Sequence, residues 1–370
     1  SFKNSVLLEG GNFNGCIFKE HVDFDGCIFR GRADFSWSRF DGDVSLVGGD
    51  FCGVLSFEDV RAAGGFDLSY SKLKKDLVLD GATIKDADCS YLSVAGSIEA
   101  SATQFVRKVT FHRAKVDGDA NFFESSFGPR SKFSYVVFHG FANFPDTFFS
   151  EFSHSIHSEV DFSGCSFEKP ANFNGARFSG AYPIFHGSIL HEQTTFSANP
   201  RLWPEGEELL SEYARNSCAT IRHLLAKQGL PEDEHFFFRR EMHFAGRIGS
   251  IWQRLPYLLF GLFSEYGYSI LRPTLWLLGV WALGFAAFWG YFSGCCVLAP
   301  DSVIERPMGS AMALSLSNLF PLFGFGRTFL LEELKALPAV LQFFSGFQTV
   351  ASLPLLFFLG LGLRQRFRLR

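Results

Sequence analysis

The residues best suited to chemistry in this 370-residue sequence are uncharged and lie in its most apolar stretches. Ser315, Ser317 and Asn318 are followed by Phe320 and by Gly324, Phe325 and Gly326, in a run from Pro307 to Gly326 with no charged side chain. Gln342, Gln348 and Thr349 fall in a second uncharged run, residues 336–363. Amide and hydroxyl groups in such surroundings face either protein or a water-filled path. Lining a path and joining helices are both open uses for them. Enzymatic chemistry finds no support: the sequence shows no Ser/His/Asp, paired-carboxylate, P-loop or HExxH pattern, so no catalytic residue and no cofactor are expected.

The eight cysteines contain no CxxC pair, and the histidines at 112, 139, 154, 157 and 186 show no ligand spacing. No metal site is expected from them. Cys16, Cys27 and Cys165 recur at one position of a repeat described below, which reads as buried and reduced, in a reducing compartment.

The elements that must position the polar groups are apolar helices. Residues 273–300 carry no charge, and two spans are expected at about 273–295 and 338–362, each long enough to cross ~30 Å of hydrocarbon. The stretch 309–327 between them contains Ser315, Ser317, Asn318, Pro321 and Gly-Phe-Gly. It reads as a re-entrant helix and loop, which membranes tolerate only where protein or a water path covers it. Ahead of the first span, residues 249–272 read as an amphipathic helix lying along the membrane surface. Arg239, Arg240, Arg247, Arg254 and Arg272 precede the first span, and Arg364, Arg366, Arg368 and Arg370 follow the second. By the positive-inside rule both termini are cytoplasmic and the chain is multi-pass.

Charge separates this half from the first. Residues 1–200 hold 18 Lys and Arg against 25 Asp and Glu, a net of −7, whereas residues 201–370 hold 16 against 13, a net of +3. Residues 201–248 read as a helical hairpin, with Pro204 at one helix start and apolar residues at helical spacing, that caps and connects.

The first 200 residues are periodic. Large apolar residues fall at Phe13, Phe18, Phe24, Phe29, Phe35, Phe40, Leu46, Phe51 and Phe57, in alternating steps of five and six. The pattern blurs at Ile84, Cys89, Val94 and Ile98, then resumes from Phe105 to Phe149 and from Phe162 to Phe178. No helix or flat strand has this period. Two residues before the anchors stand slim residues such as Cys16, Cys27, Ala33, Ser38, Gly49, Ala120, Ala142, Cys165 and Ala171. The blurred stretch is expected to mark a change of face size or a kink.

The units ADF at 33–35 and ANF at 120–122, 142–144 and 171–173 resemble the pentapeptide-repeat family, over about residues 10–196. That resemblance implies a right-handed quadrilateral β-helix, with anchors pointing inward and eight or nine coils stacked over ~40 Å. The fold class expected is this solenoid, an α-helical connector, and a two-span transmembrane α-helical domain with a re-entrant loop. The second half resembles the ion-channel-like domain at the end of some bacterial pentapeptide-repeat proteins, through SEYGYSILRP at 264–273, SLSNLFPLFGFG at 315–326 and QTVASLP at 348–354. Of the potassium-filter pattern only Gly324-Phe325-Gly326 is matched, with Arg327 where an acid would stand. The resemblance implies a bacterial inner (plasma) membrane, membrane lipid as surroundings, a homo-oligomer of four copies, ions as the conducted species, and a cytoplasmic protein partner on the solenoid. The expected function is thus an oligomeric pore gated or scaffolded by its solenoid. A non-conducting anchored scaffold is the alternative, and a DNA-mimic gyrase-binding protein a weaker one, since the membrane half gives nucleic-acid mimicry no use.

Overall fold

The computed structural model describes residues 1–150, 159–204, 211–294, 306–321 and 337–367. It divides into two compact units, Ser1–Ile248 and Gly249–Arg370.

The first unit opens with short parallel strands, most of two residues. Val6–Leu7 (β1), Gly11–Asn12 (β2), Ile17–Phe18 (β3) and Val22–Asp23 (β4) make one turn, and Ile28–Phe29 (β5) then pairs in parallel with β1. The successive partners Val6, Ile28, Asp50 and Lys72 are separated by one constant interval of chain, which is the length of a turn. The result is a β-solenoid of about eight turns, its strands stacked in ladders of eight, nine and twelve.

Ring stacking explains why this sequence coils. Phe13, Phe35 and Phe57 stack at 4.8 and 5.0 Å, and Phe122, Phe144, Phe173 and Phe196 at 5.0 Å throughout. These spacings match the distance between paired strands, so backbone pairing and ring packing are satisfied together. Each buried ring contributes roughly 2–3 kcal/mol.

The slim interior residues do more than make room. Ser38 Oγ donates to Phe13 O at 2.6 Å, Ser71 Oγ to Leu46 O at 2.6 Å, and Thr103 Oγ1 to Leu79 O at 2.7 Å. Cys27 Sγ and Cys165 Sγ donate in the same way to Phe2 O and Phe133 O. Hydroxyl and thiol therefore play one part: they satisfy carbonyls that turn inward. Cys16 is half-buried at the first turn.

The blurred stretch is a shortened turn with its core side chains exchanged. Lys72 pairs with Ser93 and Leu77 with Ile98, each one position short of the usual interval, because a residue is absent between Ile84 and Asp86. Along this ladder Ala33 beside Phe35 gives way to Leu55 beside Phe57, then to Leu77 beside Leu79 and to Ile98 beside Ala100, before Ala120 and Phe122 restore the order. Bulk is added at the slim position and then withdrawn from its neighbour, so the interior stays filled. Later, Val137 pairs with Ser166, across a turn longer than those before it.

The solenoid ends on Trp203, which stacks on Phe178 at 5.0 Å and meets Phe237 edge-on at 5.0 Å. Phe237 belongs to a helical hairpin, Ser211–Gln228 (α1) and Pro231–Ala245 (α2). Pro231 and the acids Glu232, Asp233 and Glu234 start α2. Ile221, Leu224, Leu225, Phe236 and Phe244 continue the solenoid core, so its last turn is covered by helices.

In the second unit Ile251–Ser264 (α3) ends in three left-handed residues, Glu265, Tyr266 and Gly267. The expected 249–272 helix therefore stops at Ser264. Leu271–Phe292 (α4) and Ala339–Phe367 (α6) follow, and both are long and apolar enough to cross a membrane. Between them lies Pro307–Leu319 (α5). At 1.5 Å per residue, α4 is about 33 Å long and α5 about 20 Å, so α5 falls short of the hydrocarbon thickness.

Candidate functional site: a buried polar junction of three helices

Helical spacing brings the polar residues of α5 and α6 together. Ser315 and Asn318 are three apart on α5, and Ser345, Gln348 and Ser352 follow i, i+3, i+7 on α6, so each set occupies one face. Both faces meet α4 where Gly284 leaves a gap.

Gln348 is the centre. Its Nε2 donates to Ser315 Oγ at 2.7 Å and to Val280 O at 3.2 Å, and its Oε1 accepts from Asn318 Nδ2 at 3.1 Å. Asn318 Nδ2 also donates to Ser345 Oγ at 2.8 Å, Ser315 Oγ donates to Trp281 O at 2.8 Å, and Ser352 Oγ to Asn318 O at 3.3 Å. Ser315 and Ser352 are fully buried, and Gln348 is 1% exposed. No charge is involved. Apolar clusters close both sides, with Phe288, Ala311 and Leu314 in one and Leu277, Leu319 and Leu355 in the other.

This arrangement fixes α5 between α4 and α6. An unsatisfied buried amide costs about 1–3 kcal/mol; here each carboxamide is paired, so the junction resists being pulled open. The junction holds no titratable side chain, and its serine hydroxyls and carboxamides are engaged in hydrogen bonds between the three helices.

Of the remaining anticipated residues, those that are described lie outside the junction. Ser317 Oγ donates to Leu314 O and Thr349 Oγ1 to Ser345 O, each within its own helix. Gln342 Nε2 donates to Leu337 O at 3.0 Å, and Phe320 packs half-buried against the Leu277–Leu319–Leu355 cluster. Gly324, Phe325 and Gly326 lie outside the described residues. The anticipated residues do not include Ser345, Ser352 or Gly284, although both serines lie in the same uncharged run as Gln348. The i, i+3, i+7 spacing around Gln348 is the signal that finds the two serines.

The solenoid surface carries a second feature without a sequence signature. Gly26, Gly48, Gly164 and Gly187 occupy left-handed turns, and in the four intervening turns this corner holds Tyr70, Tyr91, Arg113 and Tyr135 at φ 57–60°. Tyr70 and Tyr91 stack at 4.7 Å, and the Arg113 guanidinium lies between Tyr91 and Tyr135 at 5.8 and 5.7 Å. Stacking of this kind offsets part of the backbone strain. His112 bonds Ser134 Oγ at 2.9 Å, and His139 lies beside Glu168 at 2.8 Å. Among the described residues no group of three His, Cys, Asp or Glu is placed to hold a metal ion.

No protein-family model matches this sequence, and no curated protein or solved structure matches it significantly.

Proposed function

We propose that this chain is a membrane protein of the pentapeptide-repeat type, in which a right-handed, four-sided solenoid in the cytoplasm is attached to a pore-type module. In this reading α4 and α6 cross the bilayer, α5 with the residues after it enters and leaves from one side, and several copies enclose the path. The observation that carries it is the short α5, ~20 Å long and locked between two longer apolar helices by Gln348, Ser315 and Asn318. A helix too short to cross, apolar and buried along one face, suits the support of a re-entrant loop.

Ion or water passage through purified full-length chain in liposomes tests this directly. The reading expects a flux that depends on the chain and is altered by bulky substitution at Gly324 or Gly326. No flux under any ion or voltage condition, from chain shown to be folded and inserted, overturns it.

One observation favours a second reading, an anchored scaffold. Ser315, Asn318 and Gln348 spend their hydrogen bonds inside a single chain, as glue between helices would. On that reading Gly324 and Gly326 accept bulky residues without functional loss.

A further inference from the structure

The arginines of the helical unit gather at one end of it. Gly362 of α6 lies against the residues before α4, where a Cβ would stand 3.3 Å from Ser269 O. Phe260 of α3 stacks on Phe358 of α6 at 5.5 Å, and Phe263 of α3 meets Trp276 of α4 edge-on at 5.2 Å. The end of α6, the start of α4 and the second half of α3 therefore share one level, with Arg272, Arg364 and Arg366 at its outer edge. Residues 249–272 and 364–370 hold six arginines against one glutamate, whereas residues 293–338 hold three basic residues against four acids.

Little of this charge is neutralised inside the chain. Arg272 Nη2 lies 3.7 Å from Glu265 Oε2, and its Nη1 donates to Gly261 O at 3.1 Å. Among the described residues Arg364 and Arg366 meet no carboxylate, and both are exposed. Beneath them the surface is apolar. Ile251, Trp252, Leu255, Leu258, Leu259 and Leu262 lie exposed on one face of α3, while Phe260 and Ser264 turn to its other side. At 1.5 Å per residue, Trp276 lies about 6 Å inside Arg272, and Phe358 about 9 Å inside Arg364. The apolar face of α3, held to those two rings, thus sits at the depth of ~5–10 Å to which an interfacial helix is buried below the headgroups.

We propose that this end of the helical unit binds acidic phospholipid, with headgroup phosphates on Arg272, Arg364 and Arg366 and acyl chains against the exposed face of α3. Guanidinium groups bind phosphate through paired, charge-assisted hydrogen bonds, and acyl chains cover apolar side chains. A phospholipid carries both groups at the separation seen between the arginines and α3; a water-soluble anion carries only the first. A zwitterionic headgroup brings its own cation beside the phosphate and leaves the excess of arginine uncompensated, so the acidic class is the one that fits. The inference rests on the reading of α4 and α6 as membrane spans and is independent of whether the chain conducts.

The test uses the full chain, delipidated in detergent, with phosphatidylglycerol and phosphatidylcholine of equal chain length as probes and native mass spectrometry as the readout. Phosphatidylglycerol is expected to bind about tenfold more tightly or better, each arginine near the headgroup being worth roughly fivefold. Arg364→Gln with Arg366→Gln should remove most of that preference, and Arg364→Lys with Arg366→Lys should keep it. Arg306→Gln, at the start of α5, should leave it unchanged. Equal binding of the two lipids by the wild-type chain overturns the site and leaves the membrane reading standing. So does a preference that survives the double glutamine variant, or one abolished by inorganic phosphate at constant ionic strength. A full chain that stays monodisperse in water without detergent or lipid overturns both. Should the glutamine variant misfold, the salt dependence of the wild-type chain decides: the preference must fall as ionic strength rises, and one indifferent to salt overturns the site.

Discussion

Gln348 occupies the space that a side chain at position 284 would need: a Cβ on Gly284 would stand 2.4 Å from Gln348 Nε2. The pair places a glycine of α4 against a carboxamide of α6, and the same carboxamide reaches Ser315 on α5 at 2.7 Å. One side chain thus joins three helices, and the glycine is the condition for its doing so.

The first prediction concerns that pair. Gly284→Ala should destabilise the helical unit by about 1–3 kcal/mol through overpacking. Gln348→Ala should cost a similar amount by leaving Asn318 and Ser315 short of a partner. Because the smaller residue at 348 also removes the clash, the double variant should lose clearly less than the sum. Thermal unfolding of the solubilised full chain, followed by tryptophan fluorescence, measures the cycle; strict additivity would sink the account.

The interior cysteines should behave as buried serines. Burial pushes the Cys165 thiol up to about 12, and Cys89 is pushed further in the same direction by burial and by the neighbouring carboxylates of Asp88 and Asp67. Neither thiol is ionised at neutral pH, so alkylation of both should be negligible in the native chain and rapid in denaturant. Cys165→Ser keeps the bond to Phe133 O and should shift stability by less than about 1 kcal/mol, whereas Cys165→Leu should cost about 1–3 kcal/mol. Mass spectrometry after timed alkylation, with melting curves of both variants, checks each half.

A glycine at one corner of the turns touches the backbone of the turn before it. A Cβ at Gly118 would stand 2.4 Å from Gly96 O, and one at Gly140 would stand 2.2 Å from Gly118 O. Gly118→Ala should therefore force two turns apart and cost about 1–3 kcal/mol or more. Gly65→Ala is the control, since its Cβ would meet nothing nearer than 3.4 Å. Equal melting temperatures for the two variants would rule out this role for the Gly118 column.

These residues show what the sequence discloses and what it hides. The ladder Phe13–Phe35–Phe57 is legible because ring after ring sits at one period and no helix or flat strand shares it. Ile98 beside Ala100 is not, because the bulk has crossed to the other inward position and the period is blind to that exchange. The single-residue shortening between Ile84 and Asp86 becomes visible only through strand register. In the helical unit, Ser315, Asn318 and Gln348 stand out as polar groups in apolar runs. Whether they face a path or one another depends on packing between helices far apart in the chain, which composition does not encode. Gly284 is silent for the same reason: its meaning is the side chain opposite.

The last prediction is a pH dependence. Glu99 lies on the outer face of the solenoid, and burial pushes its carboxyl above the usual glutamate range, helped by the nearby charges of Asp80, Asp76 and Asp119. Asn121 Nδ2, donating to Glu99 Oε2 at 3.3 Å, opposes this only in part. Because the folded carboxyl holds its proton more tightly than the unfolded one, its favourable contribution is full below the unfolded value. It is lost as pH rises through the raised folded value, where the folded state must accept a fourth negative charge among three. Glu99→Gln keeps the shape and removes the titration. At neutral pH the variant should therefore be the more stable protein. Acidification through the usual glutamate range should bring the two melting temperatures together, because the wild-type residue is then protonated in both states. Melting curves of the pair between about pH 3.5 and 8 decide it; a variant less stable than wild type at neutral pH would mean that Glu99 is held by its neighbours as an anion, contrary to this account.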